Sequence, residues 1–173
     1  MTTRIGRLMA GAGMAALVAG FAGYGSTNLE AATATASFSV TANVTANCTI
    51  AAGSLGFGSY DPVVANAASP LDQTSTLTVA CTKGTNAAVS LDLGTHASGS
   101  ARRMQSGSTA TEFLSYELYT TAARSVVWNT SNTVAYAAAS KNSSSLTVYG
   151  RVSAGQDVET GNYSDSIVAT ITF

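Results

Sequence analysis

The chain contains 173 residues, carries a formal net charge of −1, and has charged side chains at only 10% of its positions. This near neutrality excludes the strongly basic surface with which proteins attract nucleic acid or anionic membranes. The length corresponds to one ordinary domain. Ser, Thr and Asn supply most of the polar surface, a composition that suits dense protein–protein assembly.

Residues 1 to about 32 are predicted to form a cleaved export signal. Basic residues open the segment, an uncharged apolar run covers residues 8–22, and small residues follow. The run is short for a membrane span, and a retained membrane anchor is the alternative. Cleavage after Ala32 or shortly beyond it leaves residues 33–173 as a single exported domain.

Residues 34–48 alternate between apolar or small side chains at even positions and Ser, Thr or Asn at odd positions. This period of two predicts an extended strand with one apolar and one polar face. Most strands have about 5 to 6 residues, so we expect the later part to enter the domain's own sheet and the earlier part to project from it. The alternative is one overlong strand paired within a monomer. The apolar face of the projecting part consists of Ala36, Phe38, Val40, Ala42 and Val44.

The chain ends in a second alternating stretch, which predicts a final strand without a successor. Its apolar face consists of Ile167, Ala169, Ile171 and Phe173. Soluble monomers avoid leaving an apolar strand edge open. We therefore expect this strand to border a groove that the N-terminal stretch of another molecule fills.

Cys48 and Cys81 are the only cysteines of the sequence, and an even number in an exported chain predicts a disulfide. The alternation places both on the inward face of their strands. A two-cysteine metal site is the alternative, but the spacing is wide and His96 is the only histidine. No cofactor is expected.

The rest of the chain predicts an all-β sandwich of about seven short strands with polar loops. The further strands are predicted through Leu55 and Phe57 and at residues 76–81, 87–93, 113–119 and 146–152. Residues 82–86 are predicted as a hairpin loop, and residues 94–111 and 129–141 as irregular loops. Trp128 is expected to plug the core, with Val126 on the same face.

Residues for catalysis are scarce. A Ser–His–acid triad would depend on His96, which we interpret as a solvated loop residue. Asp157 and Glu159 are likewise interpreted as solvated, rather than as calcium ligands or paired catalytic carboxylates. No glycine-rich phosphate loop is present. We expect neither an enzyme nor a small-molecule substrate.

Taken together, these residues resemble the spore coat protein U domain family, which includes the pilin subunits of the archaic chaperone-usher pathway in bacteria. The resemblance runs over nearly the whole exported chain. It rests on Cys48, residues 55–62, Cys81 with Thr82, residues 91–94, Arg103 with Met104, residues 114–119, Trp128, residues 148–150 and residues 161–173. Two departures fall in loops: Asn129 follows the tryptophan where Gly is usual, and Glu159 stands near a usual Pro.

The resemblance implies an incomplete immunoglobulin-like β-sandwich, completed by a donor strand from a neighbouring subunit. It implies that a periplasmic chaperone first lends a strand, and that the N-terminal stretch of the next subunit replaces it at an outer-membrane usher. Identical or related pilin subunits then form a head-to-tail polymer. The implied function is a surface fibre for adhesion and biofilm formation. The alternative is a secreted spore or cell-surface coat protein with the same domain.

Overall fold

The computed structural model describes residues 30–173, so residues 1–29 of the predicted export signal lie outside the described residues. The chain divides after Thr41 into an N-terminal segment and a compact unit, Ala42–Phe173. Every regular element in the described residues is a β-strand, and that part of the chain has no helix long and apolar enough to cross a membrane.

Nine strands of the compact unit form two antiparallel sheets. They are β1 (Cys48–Ala52), β2 (Leu71–Cys81), β3 (Asn86–Leu91), β4 (Arg102–Ser106), β5 (Phe113–Tyr119), β6 (Val134–Ala137), β7 (Ser144–Val152), β8 (Tyr163–Ser164) and β9 (Ala169–Thr172). The larger sheet has the order β1-β2-β7-β5-β4-β8, and the smaller sheet has the order β6-β3-β9. The predicted all-β fold class is confirmed.

The core lies between the two sheets and consists of alternate residues from the facing strands, as in other β-sandwiches. Its buried members include Leu77, Val79, Val89, Leu91, Leu114, Tyr116, Leu118, Trp128, Val148 and Val152. Trp128 is fully buried, as predicted. Its indole Nε1 donates a hydrogen bond to the Val89 carbonyl at 2.8 Å, and its amide donates to the Leu118 carbonyl at 2.8 Å. The tryptophan therefore ties the smaller sheet to the larger one.

The predicted hairpin at residues 82–86 is wrong, because β2 and β3 lie in different sheets. Both edges of β2 are already occupied, one by β1 and the other by β7. The chain must therefore turn across to the second sheet. A tight turn makes this crossing: the Thr85 amide donates to the Thr82 carbonyl at 3.0 Å, and Gly84 takes a left-handed φ of 85°.

Two predicted loops contain strands, since β4 lies within residues 94–111 and β6 within residues 129–141. In β4 the inward positions are taken by Arg102, Met104 and Ser106, so only one of the three is apolar and the alternation is too weak to mark a strand. Leu55 and Phe57 pack against the core as expected, but they lie in irregular chain rather than in a strand. Val126 is 43% exposed and does not share the burial of Trp128.

Candidate functional site

The first part of the site is a solvent-exposed segment at residues 34–44, which we call the N-terminal ribbon. Phe38 is 86% exposed, Val40 82% and Val44 79%, and the smaller side chains of Ala36 and Ala42 are exposed as well. Residues 30–47 contain no strand. A set of large apolar side chains in water usually marks an interaction surface.

The base of the ribbon is fastened to the sandwich next to the disulfide. Cys48 and Cys81 stand opposite each other on β1 and β2, with their Cα atoms 4.1 Å apart, and form the predicted disulfide. The Thr82 amide donates to the Asn47 carbonyl at 2.9 Å, and its hydroxyl donates to the Thr45 carbonyl at 3.2 Å. The Asn47 amide in turn donates to that hydroxyl at 3.1 Å. The ribbon therefore leaves the folded unit at Thr45.

The second part of the site is a pair of unpaired strand edges. Within the described residues, β1 pairs only with β2, and β9 pairs only with β3. The side chains of Ile167, Ala169 and Ile171 are half-buried and face the core, whereas Phe173 lies past the end of β9 and is 55% exposed. One row of backbone groups on each strand is thus available for a further strand.

The edge strands β1 and β9 lie close to each other. Cys48 of β1 and Ile171 of β9 pack against the same small cluster, formed by Cys81, Ala87 and Ala138, and we call this the closed end. Beyond this cluster, residues 52–57 and residues 163–169 border a cavity of about 340 Å³. Side chains of the core, including Leu77 and Leu118, line its inner wall.

A second cavity of about 660 Å³ continues the first along the same side of the sandwich, and we call the two together the groove. The shared lining residues are Leu55, Phe57, Met104 and Tyr163. The far end of the groove is bordered by residues 58–62 and residues 158–162. The sequence predicted a groove beside the last strand, but it contained no signal for this extension.

Gly150 on β7 allows one rim of the groove to lie close to the sheet. A Cβ atom at this position would lie 2.9 Å from Leu55 Cδ1 and 2.9 Å from Phe57 Cζ. The Phe57 ring also packs edge-to-face on Tyr116, with the ring centroids 6.0 Å apart. A larger residue at Gly150 would therefore push both rim side chains away from the sheet.

The opposite rim is held by the buried carboxylate of Asp165. It accepts hydrogen bonds from the Tyr116 hydroxyl at 2.7 Å, from the Thr95 hydroxyl at 2.7 Å and from His96 Nδ1 at 3.1 Å. Burial raises the pKa of Asp165, but these hydrogen bonds outweigh it and the net pKa is lowered. Burial and the neighbouring carboxylate raise the pKa of Tyr116. Gly94 takes a φ of 83°, and a Cβ atom there would overlap the Asp165 carboxylate.

The interpretation of His96 as a merely solvated residue is wrong, because its ring bonds to Asp165. The arrangement still differs from a catalytic triad. His96 Nδ1 faces both the carboxylate and the Thr95 hydroxyl, at 3.1 and 3.2 Å, and that hydroxyl already donates to Asp165. The Thr95 hydroxyl therefore has no hydrogen left to donate to the His96 ring, so the ring cannot activate this hydroxyl as a nucleophile. The three side chains fasten two loops together.

A second polar centre fixes the chain between Asp165 and β9. Asp92 Oδ1 accepts hydrogen bonds from the Gly94 amide at 3.0 Å and the Val168 amide at 2.9 Å. The Asp92 amide donates to the Val168 carbonyl at 3.0 Å. The fully buried guanidinium of Arg102 donates to the carbonyl of Asp92 at 3.0 Å and to that of Trp128 at 2.7 Å. Hydrogen bonds to Asp92 and to the buried Arg102 therefore connect this wall of the groove to the core.

Sequence reasoning missed Arg102, although Arg103 and Met104 contributed to the family resemblance. A fully buried arginine is rare unless it is paired. Here Arg102 Nη1 lies 3.5 Å from Glu117 Oε1. Burial raises the pKa of Glu117, and the guanidinium opposes that rise. No local pattern distinguishes this arginine from the exposed ones, because its partners come from distant strands and loops.

The acidic pair at residues 157 and 159 does not form a site in the structure. Glu159 accepts a hydrogen bond from the Thr109 hydroxyl at 2.8 Å, which ties two loops. Residues 30–173 contain no group of three or more His, Cys, Asp or Glu side chains that suits a metal ion.

The open groove and the unpaired edges define an immunoglobulin-like sandwich that lacks a strand. The family model for the Spore Coat Protein U domain matches residues 34–170, so the chain belongs to that family. Among curated proteins, it is 41% identical to Protein U of Myxococcus xanthus over 96 residues, which is 51% of this chain. That match covers 53% of Protein U, so this chain spans about half of its length.

Among solved structures, the fold is similar to a chain in the CsuC–CsuE chaperone–tip adhesion subunit pre-assembly complex from archaic chaperone-usher Csu pili of Acinetobacter baumannii. The TM-score is 0.54 and the sequence identity is 19%. The superposition covers 75% of this chain and 40% of the other. At this identity, the likeness shows the shared fold alone.

Proposed function

We propose that this chain is a structural pilin subunit that polymerises head to tail into a surface fibre. Each subunit lends its N-terminal ribbon to complete the sandwich of the next one. The observation that carries the proposal is that one chain has both an exposed apolar ribbon and a groove beside unpaired strand edges, with apolar core side chains on its inner wall. A contact of this kind does not close on itself, and therefore generates a filament.

The binding mode is β-strand addition, in which main-chain hydrogen bonds supply affinity and alternate side chains fill pockets. The free edges of β1 and β9 offer the main-chain groups. On the donor side, Phe38, Val40 and Val44 bring the bulk, and the smaller Ala36 and Ala42 suit shallow parts of the groove. On the acceptor side, we assign Ile167, Ala169, Ile171 and Phe173 to the wall that receives the ribbon and, earlier, a chaperone strand.

The proposed partners follow from the need to protect an open groove before assembly. The chain is exported through the periplasm, where a chaperone covers the groove, and an outer-membrane usher then exchanges the chaperone for the next subunit. The fibre serves adhesion and biofilm formation. Family membership and a neighbour whose complex pairs a chaperone with a pilus subunit support this assignment. The chain is not proposed to be an enzyme.

A secreted coat protein is the second candidate function. The family name and the similarity to Protein U of Myxococcus xanthus favour it. The two candidates differ in architecture, because a pilus subunit forms linear fibres that can be sheared from cells. Electron microscopy of sheared material, together with the presence of chaperone and usher genes beside this one, separates them.

The decisive experiment places a charge on the apolar face of the ribbon. The substitution Phe38→Asp puts an unpaired carboxylate into the groove of the next subunit, at a cost of about 3 kcal/mol or more per junction. Because Phe38 is 86% exposed, its own sandwich is expected to stay intact. The variant should co-purify with the chaperone and yield no surface fibres.

The matched control is Ser39→Asp, which places the same charge on the opposite, polar face of the ribbon. We expect it to yield fibres close to the wild-type amount. Wild-type fibre yield from Phe38→Asp would refute the donor assignment. Loss of the chaperone complex would instead show that Phe38 belongs to the core of its own domain. Val44 is 79% exposed, so Val44→Asp is likewise expected to leave the chaperone complex intact and to lower the fibre yield.

A further inference from the structure

Two exposed valines are explained by neither the ribbon nor the last strand. Val63 is 81% exposed and Val64 is 77% exposed, and both lie in a turn of the sandwich. We propose that this turn docks onto the neighbouring subunit in a fibre, in a depression beside that subunit's Cys48–Cys81 disulfide. This inference rests on the proposed head-to-tail polymer, and it adds a second contact between subunits that is separate from the donated ribbon.

The turn, residues 61–66, is a built structure, which we call the knuckle. The Asp61 carboxylate accepts hydrogen bonds from the amides of Val63 at 2.9 Å and Val64 at 3.1 Å. The Asn66 amide donates to the Asp61 carbonyl at 2.7 Å. Asn66 is buried, and its carbonyl accepts a hydrogen bond from the Gly155 amide at 2.8 Å. Because the valines are held in place beforehand, docking orders little additional chain.

The knuckle stands at the end of the groove from which a donated ribbon must emerge. The other end is closed by the packing of Cys48 and Ile171 on a shared cluster. A ribbon that is followed by a folded domain cannot leave through a closed end. It must leave between residues 58–62 and residues 158–162, and the knuckle begins within the first of these segments.

The donor subunit is held close to this exit by a short connection. Its ribbon is fastened to its own sandwich from Thr45 onward, through Thr82. Four residue steps separate Val44 from Cys48, and an extended chain covers at most about 14 Å over that distance. With Val44 at the groove exit, the disulfide end of the donor subunit therefore lies within about 14 Å of that exit, where the acceptor's knuckle begins.

That disulfide end carries a surface depression of about 680 Å³ with a complementary character. Its lining includes the disulfide, Ala80 and the two lysines Lys83 and Lys141. Lysine stems contribute apolar surface while their ammonium groups stay in water. The knuckle brings two valines for the apolar part and the Asp61 carboxylate for the lysines. Hydrogen bonds from the amides of residues 63 and 64 lower the pKa of Asp61 and so stabilise its charged form.

Cysteine cross-linking in assembled fibres tests the contact directly. The full-length chain with Val64→Cys and Ser140→Cys is expressed with its chaperone and usher, because Ser140 also lines the depression. Mild oxidation of the fibres, heat denaturation and a non-reducing gel then show which subunits are joined. We expect a ladder of dimers, trimers and longer multimers, at least tenfold stronger than in either single variant. A matched control pairs Ser140→Cys with Val126→Cys, another exposed valine, and should give no ladder.

A second variant measures the contact without added cysteines. Val63→Ser combined with Val64→Ser removes the apolar surface of the knuckle and leaves the ribbon unchanged. We expect fibres to form in normal yield, because the ribbon is intact, but to bend more easily. The persistence length in electron micrographs should fall at least twofold relative to the wild type.

The outcomes separate this inference from the proposed function. Normal fibres that give no ladder and keep their stiffness would overturn the docking contact and leave ribbon donation untouched. Normal stiffness together with lost attachment to apolar surfaces would assign the valines to adhesion instead, and would also overturn it. Fibres that are insensitive to Phe38→Asp would refute the head-to-tail polymer itself, and the docking inference would fail with it.

Discussion

The N-terminal ribbon and strand β5 show the same alternation of apolar and polar residues, yet their apolar side chains lie at opposite extremes of exposure. In β5, Leu114, Tyr116 and Leu118 are each 5–6% exposed. In the ribbon, Phe38 is 86% exposed and Val40 is 82% exposed. Alternation alone therefore does not determine whether the apolar face of a segment is buried within its own domain.

The two segments differ in their neighbours rather than in their sequence. β5 lies between β4 and β7, so both of its edges are paired and its apolar face meets the smaller sheet. The ribbon has no paired strand within the described residues. The same sandwich also has a groove beside β9, an edge strand with an unpaired side. One chain therefore contains both an apolar segment that pairs with no strand and a sheet with an unpaired edge. Four experiments test whether these two features act together.

The largest expected effect comes from placing a charge on the buried apolar face of β5. Leu118→Asp buries an unpaired carboxylate in the core, so we expect more than about 4 kcal/mol of destabilisation and no soluble chaperone complex. Phe38→Asp should leave the yield of that complex unchanged. The measurement is the amount of subunit that co-purifies with the chaperone. Leu118→Met, which nearly conserves volume, is the control and should cost less than about 1.5 kcal/mol. Equal loss of the chaperone complex in Leu118→Asp and Phe38→Asp would show that Phe38, like Leu118, is needed for its own domain to fold.

The second experiment removes the disulfide, which lies next to the point where the ribbon joins the sandwich. Replacing both Cys48 and Cys81 by Ser should cost about 4 kcal/mol in the chain-entropy model, because the bond closes a sequence separation of 33 residues. The midpoint of guanidinium unfolding of purified fibres measures this loss. Thiol titration of denatured, unreduced wild-type protein should detect no free thiol. A titre of two thiols per chain would contradict the predicted bond.

The sequence predicted the strands whose inward positions are apolar, because period-two alternation is a local signal. It therefore located the strands β2, β3, β5 and β7, although β2 begins earlier, at Leu71. It missed β4, where the buried side chain is Arg102, and β6, which has only four residues. It also misplaced the connection at residues 82–86, since sheet membership depends on which edges other strands have taken.

The site was predictable to a similar extent. The apolar residues of the ribbon and of the last strand are visible in the sequence, and so is the cysteine pair. The walls of the groove are not, because they are built from contacts between distant parts of the chain. Asp165 receives its hydrogen bonds from residues 49 to 70 positions away. The rim at Leu55 and Phe57 depends on a glycine of β7, Gly150.

The third experiment changes this rim and leaves the ribbon intact. Gly150→Ala places a methyl group 2.9 Å from atoms of Leu55 and Phe57, so overpacking should cost about 1–3 kcal/mol. We expect a lower unfolding midpoint and fewer subunits per fibre, because the groove wall is displaced. Gly56→Ala is the matched control, since a Cβ atom there meets nothing within 4 Å. If both variants behave alike, the rim at Gly150 does not shape the groove.

The smallest expected effect is a pH dependence that arises on the acceptor side alone. Residues 34–44 contain no titratable side chain, so protonation does not change the ribbon. The folded pKa of Asp165 lies below its unfolded value near 3.8. Its contribution to stability is therefore complete above that value and is lost as the pH falls through the folded pKa. Burial raises the pKa of Glu117, so this residue acts in the opposite direction and reduces the net effect.

The substitution Asp165→Asn tests this assignment with almost no change in side-chain volume. The introduced amide is uncharged, so it accepts the hydrogen bonds of Tyr116 and Thr95 more weakly than the carboxylate does. The variant should therefore be less stable than the wild type above about pH 4. On acidification below about pH 4, the wild type should lose stability and the two proteins should converge. Unfolding midpoints of fibres measured from about pH 7 to about pH 2 give the comparison. Parallel curves of unfolding midpoint against pH would show that the groove wall does not depend on this carboxylate. Acid would then act at another group, for example Asp72, whose pKa is lowered by its hydrogen bond with Arg151.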